Sequence, residues 1–529
     1  MTQTKISSDE GAKGTAPWGH QEAADGMDAL GGLSNDIVAQ TSQAVNTLTP
    51  NVLLALPDRA RTALLQALAA ELARDPDAPD DLPEAERDLG HAYVLAGLLR
   101  GKLIWHKQAS TWMEYAGGVW TQIHEGRAVY IAAESLRKEY ARQLAGEADK
   151  ARVQALAKKV GDAATAARVR GALIFLSGMP GFYADAEAFD ADSWLLNLRN
   201  GTLDLRTMEL RPHDPADLLT KQAPIVYDPQ ADCPRWRAHL ELCLPNPNVR
   251  RQVARDLGLA LVGADLDEIL PIWWGTGRNG KTTTVRVIQE LLGPYACQAA
   301  RDLLVTAKYD RHPTDIADLA GRRLVFSQET DEGKRLNEAL VKWLTGGDRV
   351  KARFMRADNF EFYKTFTIFL VTNHRPIIRG TDTGTWRRIR LIPWTVEIPA
   401  EKRRPQEKVV AELVEEGPGI LNWLLDGFLD WLSSPNWLAP EVAAATEAYR
   451  AEQDVLGAFL GEACELGERY SVPVGELYGA YLEWCARAGE EPVSKTTFGR
   501  IMRQRGFVQV NPTGTERRWQ GLRLKRIAI

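Results

Sequence analysis

Cysteine is scarce in this chain, and long apolar runs are missing. Cys233, Cys243, Cys297, Cys464 and Cys485 are scattered, and none belongs to a C-x-x-C pair. That spacing excludes a disulfide framework and a cysteine zinc site, and leaves five small apolar residues. No apolar run reaches the roughly 18 residues a membrane span needs. The first residues, MTQTKISSDEGAKG, lack the apolar stretch of a signal peptide, so a cytoplasmic home is the default expectation. Internal repeats are also absent. What remains is ordinary for a soluble globular protein: 529 residues, 45% hydrophobic and 26% charged. That length suits two to four domains.

A net charge of −5 decides little, but its distribution is informative. Residues 1–90 carry 15 acidic against 6 basic side chains, and residues 494–529 carry 9 basic against 1 acidic. A basic terminal region on an acidic chain points toward nucleic acid, with a solvated face as the alternative.

The chain divides by pattern. Residues 1–87 are expected to be a disordered or loosely helical acidic arm. Leu64, Leu65, Leu68 and Leu72 lie at helical spacing, and the linker DPDAPDDLPEAE follows. Residues 88–260 mix helical runs with short tryptophan-bearing strands, an α+β pattern. Within them LLNLRNGTLDL reads as a hairpin turning at Asn200-Gly201. From 261 to 400 apolar runs alternate with helical stretches, an α/β core. Residues 401–440 are connecting helices. Residues 441–529 are helical and end in a short basic β-pattern.

The segment WWGTGRNGKTTTVRVIQELLG, 273–293, contains G-x-x-x-x-G-K-T from Gly275 to Thr282. A short apolar strand precedes it and an amphipathic helix follows, stopped at Gly293-Pro294. In that context the pattern is a phosphate-binding loop rather than a glycine turn with a surface lysine. Backbone N–H groups of residues 276–282 would point inward at phosphate oxygens, and Gly275, Thr276, Gly277, Arg278, Asn279, Gly280, Lys281, Thr282 and Thr283 are the candidate nucleotide-binding residues. Lys281 would reach the β- and γ-phosphates, and the Thr282 hydroxyl would hold magnesium. ATP and Mg2+ are therefore the expected ligands.

Three further stretches supply partners. In GRRLVFSQETDEG a strand ends at Glu329, placed to orient the attacking water and to sit near magnesium. Gln328 stands where many such ATPases carry a second acid. In FTIFLVTNHRP a strand ends at Asn373, an amide suited to the γ-phosphate or the lytic water. In TWRRIRLIPW, Arg387 and Arg388 precede an apolar run, and either could neutralise a transferring phosphoryl group from a neighbouring subunit.

This order of motifs resembles superfamily 3 helicases. More narrowly it resembles the phage and plasmid primase–helicase family, related to the poxvirus enzyme. The resemblance covers roughly 88–529, and Lys281, Glu329, Asn373 and Arg388 fall within 108 residues. It implies a P-loop, AAA+-like helicase core with an α+β N-terminal domain and a C-terminal winged-helix domain. The ring would be a homo-hexamer, and Arg387 or Arg388 its arginine finger. It also implies a β-hairpin from GGDRVKARFMRADNFEFYKTF that projects into the ring's channel. Lys351, Arg353, Arg356 and Lys364 supply cations there, with aromatics interleaved that would either stack on bases or pack the core.

At the end of the chain, Ser494 caps a helix whose Phe498, Ile501 and Met502 share a face, leaving Arg500, Arg503 and Arg505 to point outward. Arg500 and Arg503 are expected in or near a DNA groove. Primer synthesis needs an acid pair on a strand. Asp75/Asp77, Asp190/Asp192 and Asp265/Asp267 lack that context, so none is expected. The expected activity is ATP-dependent unwinding of single-stranded and forked DNA in phage, plasmid or mobile-element replication. A separate primase or replication initiator is the expected partner, and no membrane is involved. The alternatives are a DNA-stimulated remodelling ATPase, or an origin-binding protein switched by ATP. The role of 88–260 stays open.

Overall fold

The computed structural model describes residues 84–264, 266–306, 314–329, 331–353, 359–379, 383–511, 514 and 516–525. The acidic arm through residue 83, Asp265 and Arg356 lie outside them.

The described chain opens with α1 (Glu84–Leu99), β1 (Leu103–His106), β2 (Thr111–Ala116) and β3 (Val119–Ile123). Then come α2 (Glu125–Ala145), α3 (Lys150–Asp162), α4 (Ala166–Ser177) and β4 (Tyr183–Ala184). These strands form one sheet in the order β3-β2-β1-β4, and the helices bury Ala92, Leu136, Leu173 and Leu176 against it. A three-stranded meander follows: β5 (Leu195–Leu198), β6 (Gly201–Asp204) and β7 (Glu209–Arg211). Its first turn is Arg199-Asn200, because Leu198 pairs with Gly201. The expected Asn200-Gly201 turn is thus shifted by one residue. The Asn200 amide is instead used to brace the backbone of Tyr227.

After α5 (Pro234–Cys243) and α6 (Pro247–Ala260) comes the central layer. Its elements in chain order are β8 (Leu270–Trp274), α7 (Lys281–Leu292), β9 (Ala296–Gln298), α8 (Thr314–Ala317) and β10 (Leu324–Glu329). Then follow α9 (Glu338–Thr345), the hairpin β11 (Val350–Arg353) and β12 (Asn359–Phe362), β13 (Thr367–Thr372), α10 (Thr383–Trp386) and β14 (Ile389–Pro393). The order β14-β8-β13-β10-β9 makes a five-stranded parallel sheet. Parallel strands covered on both faces read as unbroken apolar runs, as LPIWW and TIFLVT do. Alternation sorts each strand between two cores. Trp273, Phe326, Phe369 and Ile392 face one, while Ile272, Val325, Leu370 and Leu391 face the other.

The first core also takes in the meander, α5, α6, α7, α11 (Gln406–Val414) and α12 (Gly417–Ser433). Residue 260 is therefore no packing boundary, since Leu196 to Val262 share one core with the parallel sheet. Likewise α13 (Pro440–Glu452) belongs to the sheet, with Tyr449 buried in the second core. The last unit begins after it: α14 (Val455–Ala463), β15 (Cys464–Pro473), α15 (Val474–Ala488), α16 (Lys495–Gln504), β16 (Gln509–Val510) and β17 (Arg518–Leu524). Helix–strand–helix–helix–strand–strand, with the antiparallel order β15-β17-β16, is a winged-helix arrangement. Four cysteines are buried and Cys297 is half-buried. No described helix is long and apolar enough to cross a membrane.

Helices α6 and α12 touch backbone to backbone. A Cβ on Gly258 would lie 2.3 Å from the Leu424 carbonyl, and one on Gly427 would lie 2.2 Å from the Ala254 carbonyl. We predict that Gly258→Val or Gly427→Val costs about 1–3 kcal/mol of stability. The midpoint of urea unfolding measures this.

Candidate functional site

Three parallel strands end at one level. Trp274 of β8 pairs with Thr372 of β13, and Thr372 pairs with Glu329 of β10. The sequence placed a phosphate loop, an acid and an amide at these ends, and the sheet brings them side by side. Crevices at the carboxyl ends of parallel strands are where such sheets bind ligands.

The loop from Gly275 to Gly280 is held tightly. A Cβ on Gly275 would lie 1.9 Å from the Trp394 carbonyl, and one on Gly280 would lie 2.2 Å from Cys243 Sγ. Gly277, Arg278 and Gly280 all have left-handed φ, which glycine adopts freely and Arg278 does not. Asn279 is buried and its amide donates to the Trp394 carbonyl at 2.8 Å. Beneath the loop, His239 shares a hydrogen bond with Thr284 Oγ1 at 3.1 Å. Burial pushes the His239 imidazole down to about 4 and the Cys243 thiol up to about 12, so both are neutral floor groups.

Lys281 starts α7 and is only 4% exposed. Its ammonium donates to the Gly275 carbonyl at 2.7 Å, Asn279 Oδ1 at 3.1 Å and Asn373 Oδ1 at 3.4 Å. None of these partners carries a charge. Burial therefore pulls its pKa down to about 8. A buried cation with neutral partners, at a helix N-terminus edged by glycines, is built to receive an anion. Thr282 is exposed and Thr283 half-buried at the same helix end. A cavity of about 490 Å3 opens on the loop's flank, between Leu242, Arg278, Gly280, Thr283, Ile398 and Leu413.

The two candidate arginines separate. Arg387 is 63% exposed, whereas the Arg388 side chain is 9% exposed. Arg388 donates to Thr345 Oγ1 at 3.0 Å and to the Gly384 carbonyl at 2.6 Å, so it is fixed within its own chain. Both precede β14, whose Ile389 pairs with Leu270 at the start of β8. They lie at the opposite end of the sheet from Lys281, about 13 Å of strand away.

In the hairpin, Val350 and Ala352 point inward while Lys351 and Arg353 are exposed. Phe360 and Phe362 stack on each other and pack on the second core, which makes them supports. Tyr363 is exposed under the Arg349 guanidinium. Lys364 corrects its sequence assignment: it is buried and donates to the Thr345 carbonyl at 3.0 Å, so it ties the hairpin base to α9 instead of facing solvent. Arg500 and Arg503 are exposed on α16, but Arg505 turns back to pair with Asp454. Asp190 is occupied by Thr220 and Lys221, and Asp192 by Arg206, which accounts for both as structural acids.

Sequence reasoning missed the bracing role of Asn279 and the whole of Glu268. The acids Asp267-Glu268 just before an apolar strand were the available signal. Asp267 and the fully buried Asp256 bind Arg390, while Glu268 binds Arg387 and Arg388.

Comparison with known proteins adds the lineage. A model described as D5 N terminal like matches residues 92–245. "Putative helicase 022R" of Frog virus 3 (isolate Goorha) is 25% identical over half of the chain. "Putative primase C962R" of African swine fever virus (isolate Tick/Malawi/Lil 20-1/1983) is 26% identical over 56% of it. These matches make the chain similar to D5-like primase–helicase proteins. It spans 28% and 34% of those two relatives' lengths. A family of unknown function matches residues 273–388, and the RFX DNA-binding domain matches residues 453–518. Among solved structures, the apo NrS-1 C terminal region (305-718) aligns with 82% of the chain and 99% of its own. The TM-score is 0.45 and the identity 10%.

Folding lowers the Lys281 pKa from its ordinary 10.5 to about 8, so the unfolded chain binds the proton more tightly. Stability then rises with pH across that window. We predict that Lys281→Met flattens this rise, read as urea midpoints measured from pH 8 to 10.5.

Proposed function

We propose that the chain is an ATP-dependent DNA helicase of the superfamily 3 type, working as a ring of copies in DNA replication. One observation carries the reading: among the described residues the buried Lys281 ammonium is held by neutral oxygens, at the sheet end where the loop starts and where the strands leading to Glu329 and Asn373 finish. Phosphates of ATP would take the loop amides and Lys281, and the nucleoside would occupy the flanking cavity. The residue types suit magnesium as well, with Thr282 and Glu329 as the candidate ligands. The ion would neutralise phosphate charge when bound. Asn373 would exchange Lys281 for the γ-phosphate or the lytic water. Glu329 would orient that water.

A finger at the far end of its own sheet serves a neighbouring copy. Exposure favours Arg387 for that role, with Arg388 as its buried support. The exposed cations Lys351 and Arg353 would follow a single-strand backbone. Arg500 and Arg503 on α16 would meet duplex DNA, a reading that the RFX match supports.

The deciding experiment is strand separation on a forked duplex with ATP and magnesium. Unwinding that is lost in Lys281→Ala is the expected result. ATP turnover without separation would favour the remodelling ATPase or the ATP-switched origin binder. Arg387→Ala should lower turnover by about 10³-fold. Arg500→Ala with Arg503→Ala should weaken duplex binding and reduce its salt slope by about 1 per cation, while turnover stimulated by single strands stays near the parent's.

A further inference from the structure

Glu268 stands two residues before β8, and Arg387 stands two residues before the neighbouring β14. Glu268 Oε2 forms an ion pair with Arg388 Nη2 at 2.7 Å and accepts a hydrogen bond from Arg387 Nη2. Arg388 cannot follow a moving partner, because Thr345 and Gly384 hold its remaining edges. The carboxylate is therefore anchored from inside by a fixed guanidinium, and it grips a second, exposed guanidinium from outside.

We propose that Glu268 is the positioning residue for the Arg387 finger, an inference that rests on the proposed helicase reading. The contact uses only the Nη2 corner of Arg387. A guanidinium carries five donors in a rigid fork, so its Nε and Nη1 edges stay available to a neighbour's phosphate while Glu268 holds the corner. An exposed arginine otherwise samples many rotamers, and a finger must arrive in one. Fixing it beforehand lowers the reaction barrier without touching ground-state binding of ATP. Glu268 never meets its own subunit's nucleotide: β8 runs its full length, Leu270 to Trp274, between Glu268 and the loop. A lesion at Glu268 should thus be felt in the next copy's site.

That displacement gives the test. Glu268→Ala alone should lower kcat by about tenfold with little change in KM, and Glu268→Asp should recover part of it. Mixing Glu268→Ala with Lys281→Ala should then raise turnover above either variant alone. In mixed rings a site with intact Lys281 receives an intact finger from a Lys281→Ala neighbour. Arg387→Ala mixed with Lys281→Ala is the control. If the control recovers activity and the Glu268 mixture does not, this inference is overturned and the finger stands. If neither recovers, the shared-site reading itself fails. Thermal unfolding of Glu268→Ala at the parent's temperature would confirm that the loss is not one of folding, and a large drop together with absent complementation would count against the proposal.

Discussion

The site depends on one unbalanced charge. Lys281 is buried at the end of the parallel sheet, and its ammonium meets two amide oxygens and a backbone carbonyl, with no carboxylate among the described residues. Taking a cation out of water costs several kcal/mol unless a counter-charge repays it. The surrounding structure keeps it there regardless. Gly275 lets Trp394 press against the loop, Gly280 lets the helix start over Cys243, and Asn279 joins the loop to the strand end at Trp394. These contacts hold the loop in one conformation, and preorganisation of this kind would make the proposed phosphate site effective.

The same strand has work at both ends. The carboxyl end of β8 leads into the loop, and its amino end follows Glu268, which holds the two arginines. In the proposed reading a nucleotide at one end would not meet an arginine at the other, and the chemistry would be complete only between copies. Thr345 extends this connection. Its hydroxyl takes Arg388 and its carbonyl takes Lys364 at the base of the hairpin that carries Lys351 and Arg353. The hairpin base and Arg388 are therefore joined through one threonine.

Much of this was legible in the sequence where spacing alone dictates geometry. The loop pattern between strand and helix, the strand-terminal Glu329 and Asn373, and the basic alternation at Lys351 and Arg353 all depend on local periodicity. What the sequence hid depends on tertiary packing. Lys364 continues the basic pattern, but it follows the end of β12 and turns toward the Thr345 carbonyl. Adjacent Arg387 and Arg388 cannot be told apart until one is buried. The break expected at 260 vanishes because Leu196 and Leu205 complete the core over Trp273, a long-range contact without local signal. The role of Glu268 was missed because its partners lie well over a hundred residues away.

ATP turnover per chain, measured across protein concentration, tests the shared site most directly. If the site is built by two copies, turnover per chain rises steeply as copies assemble and then reaches a plateau. A rate per chain that stays constant down to concentrations where the protein is monomeric would contradict it.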